Sequence, residues 1–172
     1  MKTTRSQHAV SKDVLREKAR LIRLETLRMT DICGSGHYGS SFSMAEIVAT
    51  LYYRFMQVRP GEPQWPDRDR FTMGKGHAAI GLFPVLSDLG FFPQSWLDTY
   101  TLGTRRRGSP ARTVCLMGDG EQTEGRPTCL LAYTVSGKGV SFMEGGWEWH
   151  LGFLGPKDLQ RAYKEVLEGS LG

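Results

Sequence analysis

The amino-acid sequence predicts an α/β domain in which a mostly parallel sheet is flanked by helices. Three observations carry that prediction. Apolar residues recur at helical spacing over residues 11–30 and again after Ser43. Two short apolar runs, Thr113–Met117 and Thr128–Val135, have the length of buried strands. Glycine-rich turns punctuate these elements, and helices mixed with buried strands pack as layers.

Taken in order, residues 11–30 form an amphipathic helix. Ser11 is its cap, Asp13 lies in the first turn, and Val14, Leu21, Ile22 and Met29 recur on helical spacing. The run Cys33–Ser40 is a glycine-rich turn. Ser43 and Glu46 have capping-box spacing and open a helix that carries Ile47, Leu51, Phe55 and Val58 inward until Pro60-Gly61. Gly61–Arg70, rich in proline and charge, is a surface connection. Phe71-Thr72-Met73 leads into Gly74-Lys75-Gly76-His77, followed by a helix over Ala78–Leu89 that Pro84 kinks and Gly90 ends. A short helix begins at Pro93, the two strands follow, and Pro156–Leu167 is a closing helix with Gly169 behind it.

Composition narrows the function. The 172 residues suit one domain, taken as residues 1–172, and the content of 40% hydrophobic and 23% charged residues is that of a globular protein. No apolar run approaches the ~18 residues of a membrane span, and the polar start lacks the apolar core of a secretory signal. Cys33, Cys115 and Cys129 are an odd set without a CxxC pair, which argues against a disulfide framework or a zinc site and fits a reducing cytoplasm. The net charge of +4 suits phosphorylated substrates. Apart from Arg105, Arg106 and Arg107 the cations are dispersed, with no nucleic-acid-binding motif, so nucleic acid is not an expected partner.

Two features carry chemistry. Gly118-Asp119-Gly120-Glu121 directly follows an expected strand, where open α/β sheets bind ligands. Glycines there admit a phosphate close to the backbone, and Asp119 offers a hard oxygen to Mg2+. The same Asp-Gly pair between apolar runs is also the commonest tight-turn signal. The second feature is histidine. His37, His77 and His150 each stand beside glycine or tryptophan in loops, where imidazole can bind phosphate and move protons near neutral pH. His8, in the polar start, has no such setting.

Several of these motifs together resemble the transketolases. Gly34-Ser35-Gly36-His37, Ser43–Ile47, Trp65–Phe71 and Gly74–Ala78 follow in that family's order. So do Gly118–Glu121 with Glu124-Gly125, and the late Gly137–Glu144 with Trp149-His150, so that the likeness spans about residues 12–168. The resemblance implies the N-terminal, thiamine-diphosphate-binding part of a transketolase. Asp119 would ligate Mg2+ on the cofactor diphosphate, with Gly118, Gly120 and Glu121 around it. His77 and His150 would lie near the diphosphate and the substrate hydroxyls. His37 would hold the ketose donor or relay protons, and Glu124 resembles the glutamate that links paired active sites. The implied reaction transfers a two-carbon ketol unit from a ketose phosphate to an aldose phosphate. The implied partner is a separate C-terminal subunit, the pyrimidine-binding half, in a heterotetramer or a homo-oligomer. A non-catalytic assembly module, or a related transferase acting on another sugar, are the alternatives.

The pattern is incomplete. The family's second metal ligand is an asparagine, and the chain contains none. The glycine-rich helix start that normally precedes the Gly-Asp-Gly strand is missing, Ser109 stands where a substrate-binding histidine is usual, and Gly74 replaces a common serine. Only Gly118–Pro127 joins the two strands, whereas parallel neighbours need a crossover of about a dozen residues. Either the two strands run antiparallel or internal segments of the family pattern are absent. With motifs intact on both sides the second is expected, leaving an incomplete fold of the thiamine-diphosphate-binding type.

Overall fold

The computed structural model describes residues 10–99 and 134–169, and these are organised around one helix. That helix, α1 (Lys12–Cys33), starts where Ser11 Oγ accepts the Val14 N–H at 3.3 Å. It ends at Gly34, whose φ of 76° lets its N–H turn back to the Asp31 carbonyl. Short elements follow: α2 (Tyr38–Phe42), α3 (Ala45–Thr50), a 3-10 turn at Gly76–Gly81, α4 (Phe83–Asp88) and a 3-10 turn at Gln94–Thr99. Beyond residue 134 come turns, a 3-10 turn at Trp147–Trp149, and α5 (Pro156–Glu168).

Three apolar clusters share α1. Ala19 and Ile22 meet Ala45, Val48, Ala49 and Tyr52 of the α3 region. Leu27 meets Tyr38 and Phe42, and also Val140, Met143, Leu154, Ala162 and Val166 from the later stretch. Met29 meets Ile80 and Leu97. A helix covered on three sides needs a wider apolar arc than an amphipathic surface helix, and Thr26 and Thr30 complete it. Each threonine hydroxyl donates to a carbonyl one turn back, to Ile22 and Thr26 respectively, so neither buries an unpaired polar group. Val14, expected on the inner face, is instead exposed, because it precedes the region that the other elements cover.

Several local expectations are corrected. Ser43 and Glu46 do not form a capping box. Met44 is the residue before α3, Ser43 Oγ donates to the Ser40 carbonyl, and Glu46 pairs with Arg23 at 2.8 Å. Arg23 is nearly sealed from water, and a buried guanidinium without a counter-charge is costly, so it claims the carboxylate. The inward face of the second helix is Ala45, Val48, Ala49 and Tyr52, while Phe55 is exposed. Small alanines let α3 lie close on α1. A single π turn over Leu51–Phe55, closed by the Met56 N–H on the Leu51 carbonyl, then swings Phe55 outward. Pro84 does not kink a long helix. It lies in the first turn of α4, where its missing N–H leaves no bond unmade.

Among the described residues there is no strand, only an isolated antiparallel bridge between Gly36 and Gly152. The expected strand Thr113–Met117, and residues 128–133 of the other, lie outside the described residues. Thr134 and Val135 carry no ladder pairing. The described part is therefore helical, and the expected parallel sheet has no counterpart in it. Nor is any described helix long and apolar enough to cross a membrane.

Candidate functional site

The bridge between Gly36 and Gly152 brings two distant loops together through reciprocal N–H···O bonds of 2.9 and 3.1 Å. Glycine is required on one side of this junction. A Cβ on Gly36 would stand 1.9 Å from Thr30 Cγ2, so only a bare backbone can run that close to α1. A second tie, from the Gly137 N–H to the Gly39 carbonyl at 3.3 Å, holds the later stretch against α2.

These ties set the His150 loop beside the His37 loop, and His77 joins the two rings from a third segment. His37 precedes α2, His77 lies in the 3-10 turn after Lys75, and His150 follows the Trp147–Trp149 turn. The ring centroids are 5.1 Å apart for His37–His77, 5.1 Å for His77–His150 and 5.6 Å for His37–His150. The last pair meets edge to face at 89°. Partial burial, and then the neighbouring His77 and His150, hold His37 below the usual imidazole pKa.

Two further polar residues complete the cluster. Ser40 Oγ lies 2.9 Å from His77 Nε2. Lys75 Nζ donates to the Ser40 carbonyl at 2.9 Å and to Ser43 Oγ at 3.2 Å, and burial pushes its ammonium below the usual lysine pKa. Three imidazoles, a hydroxyl and a nearby ammonium make a donor-rich surface suited to an anion with several oxygens. Among the described residues no group of three or more His, Cys, Asp or Glu is arranged to hold a metal ion.

Of the residues singled out from sequence, His37, His77 and His150 therefore converge. Gly118, Asp119, Gly120, Glu121 and Glu124 lie outside the described residues. Ser40 and Lys75 were not singled out. Lys75 is visible inside the Gly74–His77 run, but nothing in the spacing of Ser40 reveals its bond to a histidine in another turn. Within three residues of His150 in the sequence, Trp147, Phe153 and Leu151 are 87%, 58% and 57% exposed.

Comparisons with known proteins give one family and several relatives. The family described as transketolase, thiamine diphosphate binding domain, matches residues 14–113. A 6-deoxy-6-sulfo-D-fructose transketolase subunit of Clostridium sp. (strain MSTE9) is 42% identical over 85 residues, covering 49% of this chain and 31% of that protein. Transketolase-like protein 2 of Mus musculus is 32% identical over 157 residues, covering 70% of this chain and 25% of the relative. Transketolase of Mus musculus is 39% identical over 83 residues, covering 48% of this chain and 13% of the relative. The matched stretch thus spans less than a third of each relative. His150 lies beyond residue 113, and the fold brings it to the two histidines inside the matched part.

Proposed function

Because the chain belongs to the transketolase family, through that family's thiamine diphosphate binding domain, we propose that it is the diphosphate-binding part of a transketolase that moves a two-carbon ketol unit from a ketose phosphate to an aldose phosphate. The observation that carries this reading is the convergence of His37, His77 and His150 from three separate loops. Their ring N–H groups, with the Ser40 hydroxyl and the nearby Lys75 ammonium, supply hydrogen-bond donors of the type a diphosphate accepts. Thiamine diphosphate, when bound, supplies the thiazolium carbon that cleaves the bond beside the ketose carbonyl and carries the two-carbon fragment.

The residues of the chain do the rest. His77 and His150 hold the diphosphate and reach the substrate hydroxyls. His37, kept largely neutral near pH 7, binds the ketose donor and can accept or return a proton at an imidazole nitrogen. Asp119 would ligate Mg2+ on the diphosphate, flanked by Gly118, Gly120 and Glu121, and Glu124 would face the paired site. The chain forms one diphosphate-binding domain and works in the cytoplasm with a pyrimidine-binding C-terminal subunit, as a heterotetramer or homo-oligomer. Two observations favour the partner. The Clostridium relative is itself named as a subunit, and the exposed apolar residues Trp147, Leu151 and Phe153 flank His150 in the sequence. A non-catalytic assembly module is the second reading, favoured by the absence of asparagine, the family's second Mg2+ ligand.

The test uses purified chain with thiamine diphosphate, Mg2+ and a ketose–aldose phosphate pair. No product is expected from the chain alone, and turnover is expected once a pyrimidine-binding half is added. Turnover by the chain alone overturns the split arrangement. Failure of every pairing, together with no cofactor binding by calorimetry, overturns the enzyme reading in favour of the assembly module.

A further inference from the structure

We propose that Ser40 is a positioning residue for His77, holding the imidazole through a hydroxyl that stays bonded whichever way the ring is protonated. The inference rests on the histidine cluster being the working site.

The geometry starts with Ser40 itself, which is fixed before it touches the ring. Its carbonyl accepts from Lys75 Nζ at 2.9 Å and from Ser43 Oγ at 3.1 Å, so α2 and the segment leading to His77 are pinned at this residue. Its Oγ then lies 2.9 Å from His77 Nε2. A hydroxyl is both donor and acceptor. To a neutral ring with a bare Nε2 it donates its proton. From an Nε2 that carries hydrogen it accepts. Among the described residues this is the hydrogen bond that ties the His77 ring, which is otherwise exposed to solvent. Without it the imidazole is free to rotate about its side-chain torsions. With it, the ring stays 5.1 Å from both His37 and His150 while the charge of the cluster changes. An imidazole that must hold a diphosphate in place gains from an anchor that persists in either protonation state.

Threonine keeps this hydroxyl and alanine removes it, and either fits a short helix. Long-range proton–nitrogen NMR of the histidine rings, recorded across a pH titration, reads the bond directly. Ser40→Ala should move the His77 Nε2 shift toward that of free imidazole, whereas Ser40→Thr should keep it near wild type. Thermal unfolding should change little in either variant. In the enzyme assembled with a pyrimidine-binding half, Ser40→Ala should lower kcat about fivefold, the equivalent of one ordinary hydrogen bond. KM for the ketose should hold, and Ser40→Thr should restore kcat. A His77 spectrum indifferent to Ser40→Ala overturns the inference, whatever the activity does. A spectrum that responds while His77→Asn leaves turnover intact keeps Ser40 as the anchor and overturns the reading of the cluster as the working site.

Discussion

His37 and His150 stand edge to face with ring centroids 5.6 Å apart, although one precedes α2 and the other lies beyond residue 134. The backbone bridge between Gly36 and Gly152 accounts for the meeting, since each glycine lies within two residues of its histidine. Loop pairing and ring pairing are thus one construction, and perturbing either should register in the other.

Proton linkage gives the first prediction. The pKa of His37 in the folded chain is depressed, so the unfolded chain takes up a proton first as pH falls. The stability linked to His37 is full above the unfolded value of about 6.5 and is lost as pH falls through that value to the lower folded one. Urea midpoints measured between about pH 8 and about pH 5 should fall across that window. In His37→Asn the fall should be shallower. An equal slope in both proteins would show that His37 does not carry the linkage.

Steric fit at the bridge gives the second. Gly36→Ala places a Cβ 1.9 Å from Thr30 Cγ2 and should cost about 1–3 kcal/mol. Thr30→Ser deletes that methyl group and keeps a hydroxyl for the Thr26 carbonyl, which Thr30 Oγ1 now meets at 2.8 Å. The double variant should therefore recover part of the loss, since Thr30 Cβ still stands 2.9 Å from the added carbon, with a coupling of roughly 1 kcal/mol in a chemical-denaturation cycle. Simple additivity would mean that the two positions do not collide.

Burial sets the cost of breaking the Arg23–Glu46 pair. Arg23 is 3% exposed, with Nη2 donating to both Glu46 oxygens at 2.8 Å and to the Phe42 carbonyl at 3.0 Å. Removing the carboxylate leaves a buried charge, so Glu46→Ala should destabilise the chain by about 3 kcal/mol. The Lys138 ammonium is 3.6 Å from the same carboxylate but 42% exposed, and Lys138→Ala should cost less than about 1 kcal/mol. Equal losses in urea unfolding would contradict this ordering.

Asp88 joins three helical segments through one oxygen. Its Oδ2 accepts from Lys18 Nζ of α1 at 2.6 Å and from the Tyr53 hydroxyl after α3 at 2.5 Å. Burial, and then this hydrogen bond, push the Tyr53 phenol well above the usual tyrosine range. Asp88→Ala should cost about 1–2 kcal/mol and bring the ionisation of Tyr53, followed by ultraviolet absorbance, to lower pH. An unchanged tyrosine titration would show that burial alone sets that pKa.

What the sequence by itself determined is whatever a few neighbouring residues decide. Ser11, Gly34, Pro156 and Gly169 bound α1 and α5 because caps and breakers act within one helical turn. The ordered motifs led to the family, since each is local and their order is plain in the text. Tertiary structure alone decided which partner each group would take. Glu46 leaves its local capping site for buried Arg23, and the π turn exposes Phe55. Residue pattern marked His37, His77 and His150 as separate candidates and the family resemblance implied a shared site, but neither gave the ring contacts or the bond from Ser40. Contacts between distant segments depend on how α1 is covered by the elements around it, and no spacing within one segment encodes that packing.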